Sequence, residues 1–197
     1  MKKLLLSVSL AFMLATPAYA APYISGSVGV GFPSDSDITY SDGHVDKGGL
    51  TSKTGVPFGG AVGIKNDAYR LEVALGYQTN KIETWQYSPD LYNNSFSFFT
   101  YMVNGYYDVD IKNSSITPYV MAGLGGASVN VKNEGYADRT STVFAWQVGA
   151  GIGIKAATNL TVDIGYRYLK PSSFSDNWGT YTFSSSNLLA GIRYDFN

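Results

Sequence analysis

Apolar and polar residues alternate along most of this chain with a period of two, the spacing of a strand whose faces meet different surroundings. The cleanest run is Tyr69 to Gln78. Tyr69, Leu71, Val73, Leu75 and Tyr77 take one side, and Arg70, Glu72, Ala74, Gly76 and Gln78 the other. Seven more stretches read the same way: Pro22 to Phe32, Val56 to Lys65, Phe96 to Val109, Thr117 to Val131, Val143 to Lys155, Leu160 to Lys170, and Asn187 to Phe196. The Thr117 run is the weakest. Val120, Ala122 and Leu124 suggest its apolar face, but Tyr119 and Met121 on the opposite positions leave its phase open.

No residue on the eight apolar faces is charged. Two architectures share that pattern: a soluble sandwich with its apolar faces inside, and a membrane barrel with them outside. Against lipid the rule is strict, because Lys or Arg at the bilayer midplane costs about 2–4 kcal/mol. The runs also have the length of tilted membrane strands, roughly 9–11 residues.

Connection lengths supply a direction. Short links (Asn66 to Ala68, about seven residues around Lys112 to Ser115, and Ala156 to Asn159) alternate with long ones (Pro33 to Gly55, Thr79 to Ser95, Lys132 to Thr140, Pro171 to Ser186). Outer-membrane barrels keep their short turns in the periplasm. With odd strands running outward, Phe32, Phe58, Tyr77, Phe99, Tyr101, Phe144, Trp146, Tyr166 and Tyr168 reach the outer rim. Tyr69, Tyr107, Tyr194 and Phe196 reach the periplasmic rim. Two aromatic girdles therefore follow from loop length alone. The expected fold is all-β: an eight-stranded antiparallel up-and-down transmembrane barrel with short periplasmic turns and long extracellular loops.

The first twenty residues stand apart. Lys2 and Lys3 precede an apolar stretch from Leu4 to Leu14, and Ala18-Tyr19-Ala20 ends in small-x-small form. This is the layout of a secretory leader, too short to span a membrane as a helix, with cleavage expected between Ala20 and Ala21. Residues 21–197 are then the barrel. Losing two lysines moves the formal charge from −1 to −3, so no basic surface invites nucleic acid. The chain has no cysteine, which excludes a disulfide framework and a thiol nucleophile.

The glycine–aromatic strand cores, PYVMAGLGG (Pro118 to Gly126), GYRY (Gly165 to Tyr168) and the closing LLAGIRYDF (Leu188 to Phe196) resemble the small bacterial outer-membrane barrels of the OmpA-transmembrane, OmpX and Opa (opacity-like) type. The resemblance covers the whole mature chain. It implies an outer-membrane location among lipid and lipopolysaccharide, insertion by the barrel-assembly machinery, and roles ranging from surface adhesin to structural anchor. It carries over no catalytic residue. Members commonly close on a terminal Phe, whereas here Phe196 is followed by Asn197.

An eight-stranded barrel has a lumen just wide enough to be filled by side chains. The inward charges are Lys65, Arg70, Lys155, Arg167 and Arg193, with Glu72, Asp108, Asp163 and Asp195. Glu72, Asp163 and Arg193 sit at similar depth, and Asp163 and Arg193 lie on adjacent strands. A paired network is expected, because buried charge is costly when unpaired. It either fills the lumen or lines a narrow gate for ions.

Other chemistry finds little support. His44, the single histidine, lies in a polar loop near Asp42 and Asp46 and has no nucleophile–base motif around it. Asp35, Asp37, Asp42 and Asp46 lack the ligand order of a calcium loop. Asn93, Asn113 and Asn159 open glycosylation triplets but read as turn residues. No enzyme activity, cofactor or metal is expected. The long loops carry Tyr40, Trp85, Tyr87, Tyr92, Tyr136, Trp178 and Tyr181 among small polar residues, a composition suited to recognition. The same rings would equally extend the sheet above the membrane. The function expected is a monomeric scaffold whose loops contact the environment, such as a host surface or matrix, or support the envelope. The alternative is a narrow pore through the charged lumen.

Overall fold

A computed structural model describes residues 20–34, 36–40, 44–85, 95–132, 139–175 and 179–196. It contains twelve strands: β1 (Ala21–Pro33), β2 (Ser36–Tyr40), β3 (Val45–Ser52), β4 (Val56–Asn66), β5 (Tyr69–Trp85), β6 (Ser95–Asp108), β7 (Ile116–Lys132), β8 (Arg139–Ala157), β9 (Leu160–Pro171), β10 (Phe174–Ser175), β11 (Gly179–Thr182) and β12 (Ser185–Asp195). Eight of them, in the order β5, β4, β1, β12, β9, β8, β7, β6, form an antiparallel sheet that a β5–β6 pairing closes into a barrel. Closure removes the unpaired strand edges that hydrocarbon cannot solvate.

The eight barrel strands coincide with the eight alternating stretches. β5 and β8 run further than the alternation suggested, β5 to Trp85 and β8 back to Arg139. The first and fourth long connections also carry strands of their own. β2 pairs with β3 and β11, β3 pairs with β5, and β10 pairs with β11. Thus the sheet continues past the barrel on its extracellular side.

The register fixes the shear. Partners followed from Tyr23 through Gly63, Glu72, Asn104, Gly123, Gln147, Leu169 and Ser185 return to β1 at Pro33, ten residues (33 − 23) further along. A hydrogen-bonded row therefore climbs slightly more than one residue per strand around the ring. Such stagger accompanies strand tilts of roughly 35–45°.

The periplasmic turns are tight. Asp67, between β4 and β5, has φ 48°, and Asn113, between β6 and β7, has φ 61°. Asp and Asn tolerate this left-handed conformation better than other non-glycine residues. Ser114 completes the second turn, its Oγ accepting from Ile116 N at 3.0 Å.

The distribution of burial runs inside out. Arg70, Glu72, Asn104, Asp108, Gln147 and Arg193 are buried, while Val28, Phe58, Leu75, Val103, Leu124 and Ile192 are exposed. A soluble sandwich would show the reverse. β7 settles its phase the same way: Val120 and Leu124 face out and Met121 is buried.

Candidate functional site

The lumen divides into three levels. Lowest, beside the periplasmic turns, are the charges. Arg70 donates through Nε and Nη2 to Asp108 Oδ1 at 3.0 and 2.7 Å, and Lys65 Nζ lies 3.4 Å from Asp108 Oδ2. The Arg70 guanidinium also stands 4.2 Å from the ring centre of Tyr106 and 5.0 Å from that of Tyr119. A second group forms on β9 and β12, where Arg193 Nε donates to Asp163 Oδ2 at 3.1 Å and Nη1 lies 3.5 Å from Asp195 Oδ1.

Glu72 joins neither group. Its carboxylate, on a residue only 5% exposed, is held by neutral donors. Tyr23 donates to Oε2 at 2.9 Å, and Asn104 and Tyr106 donate to Oε1 at 2.9 and 2.7 Å. Gln147 Nε2 then donates to Asn104 Oδ1 at 2.6 Å, extending the chain to β8. Glu72 and Arg193 are separated around the wall by β4 and β1. Tyr23 on β1 spans that gap, with its hydroxyl on Glu72 and its ring 5.8 Å beneath the Arg193 guanidinium.

Of the remaining inward cations, Lys155 lies exposed near the turn. Arg167 makes no hydrogen bond or ion pair among the described residues, and it lines a mid-lumen cavity of about 110 Å³. Tyr23, Asn104, Tyr106 and Gln147 are the participants that sequence reasoning passed over. Their signal was present, since each occupies an inward position between the charges.

Glycines on the facing strands make room for these side chains. A Cβ at Gly63 would stand 2.5 Å from Tyr23 Cζ, and one at Gly151 or Gly165 would stand 2.5 Å from the Tyr119 hydroxyl. Large and small residues thus interdigitate across a narrow bore.

The uppermost level is apolar. Phe98, Met102, Ala127, Val129, Ala145, Leu169 and Phe183 form one buried cluster. Beside it Gln78 donates to Asn80 Oδ1 at 3.0 Å and to Ser185 Oγ at 3.2 Å, and Ser185 donates to Asn187 Oδ1 at 3.0 Å.

On the outer wall, Phe32, Phe58, Tyr77, Phe99 and Trp146 are exposed towards the extracellular end, with Tyr168 half-buried beside Trp146. Ring centroids are 5.5 Å apart for Phe58–Tyr77 and 5.8 Å for Trp146–Tyr168. At the periplasmic end Tyr69–Tyr107 and Tyr194–Phe196 pair at 5.4 and 5.2 Å. Among the loop aromatics, Tyr181 has backbone partners Phe174 and Ile38, and Trp85 pairs with Leu50. Tyr87, Tyr92 and Trp178 lie outside the described residues, as does the leader up to Tyr19. Among the described residues, no group of three His, Asp or Glu is placed to hold a metal.

The model of the outer membrane protein beta-barrel domain matches residues 4–196. The chain belongs to this family. Outer membrane protein PagN of Salmonella typhimurium is 29% identical over 220 residues, which cover 88% of this chain and 89% of PagN. Neisserial surface protein A superposes with a TM-score of 0.61 at 21% identity, covering 90% of this chain and 99% of that one. OprG from Pseudomonas aeruginosa gives 0.53 at 13% identity, over 91% and 97% of the two chains. At such identities the solved structures speak for the fold alone. The protein is an integral β-barrel of the bacterial outer membrane, seated in its lipid bilayer.

Proposed function

We propose that the barrel is a monomeric scaffold that presents its extracellular loops to another surface, such as a host cell or matrix component. The observation that carries this reading is the sheet above the barrel. β11 of the fourth connection pairs with β2 of the first in continuous register, Thr182 with Asp37 through Gly179 with Tyr40. β3 then ties the first connection to β5. Two connections far apart in sequence are thereby joined into one platform, and holding recognition residues on sheet lowers the entropy lost on binding. Trp85 and Tyr181 belong to strands of this platform, and Tyr87, Tyr92 and Trp178 to the connections beside them.

The aromatic rings at the two ends of the outer wall act as girdles at the bilayer interfaces, the outer one among lipopolysaccharide. β1 beginning at Ala21 supports cleavage of the leader between Ala20 and Ala21, and a closing strand, β12, that ends at Asp195 just before Phe196 supports handling by the assembly machinery.

The test replaces residues 36–52 and 174–182 with short glycine–serine turns and measures attachment to epithelial cells and to matrix-coated surfaces. Attachment should fall to the level of bacteria lacking the protein, and unchanged attachment of a folded, loop-trimmed barrel sinks the reading. The rival, a narrow pore, is tested in planar bilayers. The scaffold reading expects no discrete conductance steps. Steps altered by Glu72→Ala or Arg193→Ala would move function into the lumen.

A further inference from the structure

We propose that a groove on the outer wall, at the periplasmic end of β5, β6 and β7, binds one acyl chain of a phospholipid from the periplasmic leaflet. The lipid is held by its chain and not by the charge of its headgroup. The inference is independent of what the loops bind.

Register sets the floor of the groove. Leu71, Gly105 and Ala122 share one row across β5, β6 and β7. Bulkier residues fill the outward rows on either side: Tyr69, Tyr107 and Val120 towards the turns, and Val73, Val103 and Leu124 towards mid-membrane. All of these residues are exposed on the lipid-facing wall. The depression has a volume of about 540 Å³, and the Tyr69 and Tyr107 rings at its periplasmic end are 5.4 Å apart and tilted by 52°. Sites for small ligands span roughly 300–1,000 Å³, so the groove is large enough to hold one.

Gly105 is the residue that points to a ligand. A Cβ there would meet nothing within 4 Å, alone among the described wall glycines, and its backbone is not in the left-handed region. Neither packing nor conformation within the chain calls for glycine at this position, and glycine weakens a strand interior. Such a glycine marks the close approach of another molecule, which on this wall is lipid. The groove lies beside the short turns, hence in the periplasmic leaflet, the phospholipid side of the membrane. Asn66, Tyr69 and Tyr107, which line it, are neutral. Arg70 backs the groove but is held inside on Asp108 at 2.7 Å, and Lys65 of the same hairpin lies 3.4 Å from that carboxylate. Neither cation is left to select an anionic headgroup, so methylenes buried against Leu71, Gly105 and Ala122 supply the affinity.

The test is native mass spectrometry of the folded barrel, released from detergent after incubation with phosphatidylethanolamine or phosphatidylglycerol in turn. A single phospholipid should be retained, equally for the two headgroups. Gly105→Leu fills the groove from its floor and should lower retention about tenfold, the equivalent of displacing about two methylenes. Ala122→Leu fills it from β7 and should act alike. Ala190→Leu adds bulk to the exposed face of β12, which stands opposite β6 in the ring, and should change nothing. Folding of each variant is checked by the mobility of unheated protein on denaturing gels. No retained phospholipid on the unaltered barrel, or unchanged retention by the folded groove variants, overturns the site. Equal loss with Ala190→Leu also overturns it, because the lipid is then spread over the whole wall. A strong preference for phosphatidylglycerol overturns the claim that the chain and not the headgroup is held.

Discussion

Tyr23 and Glu72 are 49 positions apart in the chain and 2.9 Å apart in the lumen, where the phenol donates to the carboxylate. Asn104 and Tyr106 complete the arrangement, so β1, β5 and β6 meet on one side chain. Glu72→Ala strands three buried donors at about 1–3 kcal/mol each. A loss of roughly 3 kcal/mol or more is expected in urea unfolding of the reconstituted barrel. Glu72→Gln keeps an accepting oxygen and should cost clearly less. Equal losses for the two variants would mean that the hydrogen bonds are not the source.

Arg193 is 3% exposed by side chain and faces Asp163 and Asp195, which are 17% and 18% exposed. Removing it leaves two partly buried carboxylates without this cation, and breaking such a pair costs on the order of 3 kcal/mol. Arg193→Gln should therefore destabilise more than Arg193→Gln combined with Asp163→Asn. A double-mutant cycle reads the coupling, and strict additivity would refute it.

Glycines of the wall are not equivalent. A Cβ on Gly63 would meet Tyr23 Cζ at 2.5 Å and the Leu71 carbonyl oxygen at 2.7 Å, whereas one on Gly105 meets nothing within 4 Å. Gly63→Ala is expected to lose about 1–3 kcal/mol through overpacking. Gly105→Ala should be neutral or slightly stabilising, since alanine gives up less backbone freedom. Thermal unfolding of the two variants side by side checks the contrast.

Val103 lies mid-strand on the outer wall, with Val73 and Leu124 as its register partners. Val103→Arg places a charge against hydrocarbon and should cost about 2–4 kcal/mol in lipid vesicles. A change well under 1 kcal/mol would show that this surface does not face the bilayer core.

Eight strands, their direction and the phase of all but β7, where Tyr119 and Met121 left the two faces undecided, were legible in the sequence. Lipid forbids charge on one face, so alternation is enforced at Leu71, Val73 and Leu75 as strictly as anywhere in the chain. Less legible were the short strands above the membrane. Ser36–Tyr40 and Gly179–Thr182 are brief and largely polar, β2 meets β3 with a register shift, and the pairing of β2 with β11 joins segments far apart in the chain.

The lumen shows where local information stops. Period two dictated that Glu72, Arg193, Asp163 and Arg167 point inward, and adjacency of strands dictated that Asp163 could reach Arg193. It could not dictate that Glu72 would be taken by Tyr23, Asn104 and Tyr106, or that Arg167 would face a cavity. Those pairings depend on register between strands: Tyr23, Gly63, Glu72 and Asn104 share one row across β1, β4, β5 and β6, and Tyr23 meets Arg193 where β1 closes on β12. Stagger is set only when β1 closes on β12, because it is a property of the whole ring and of no single strand. The sequence by itself determined which side chains enter the barrel, and strand register together with ring closure decided which of them meet.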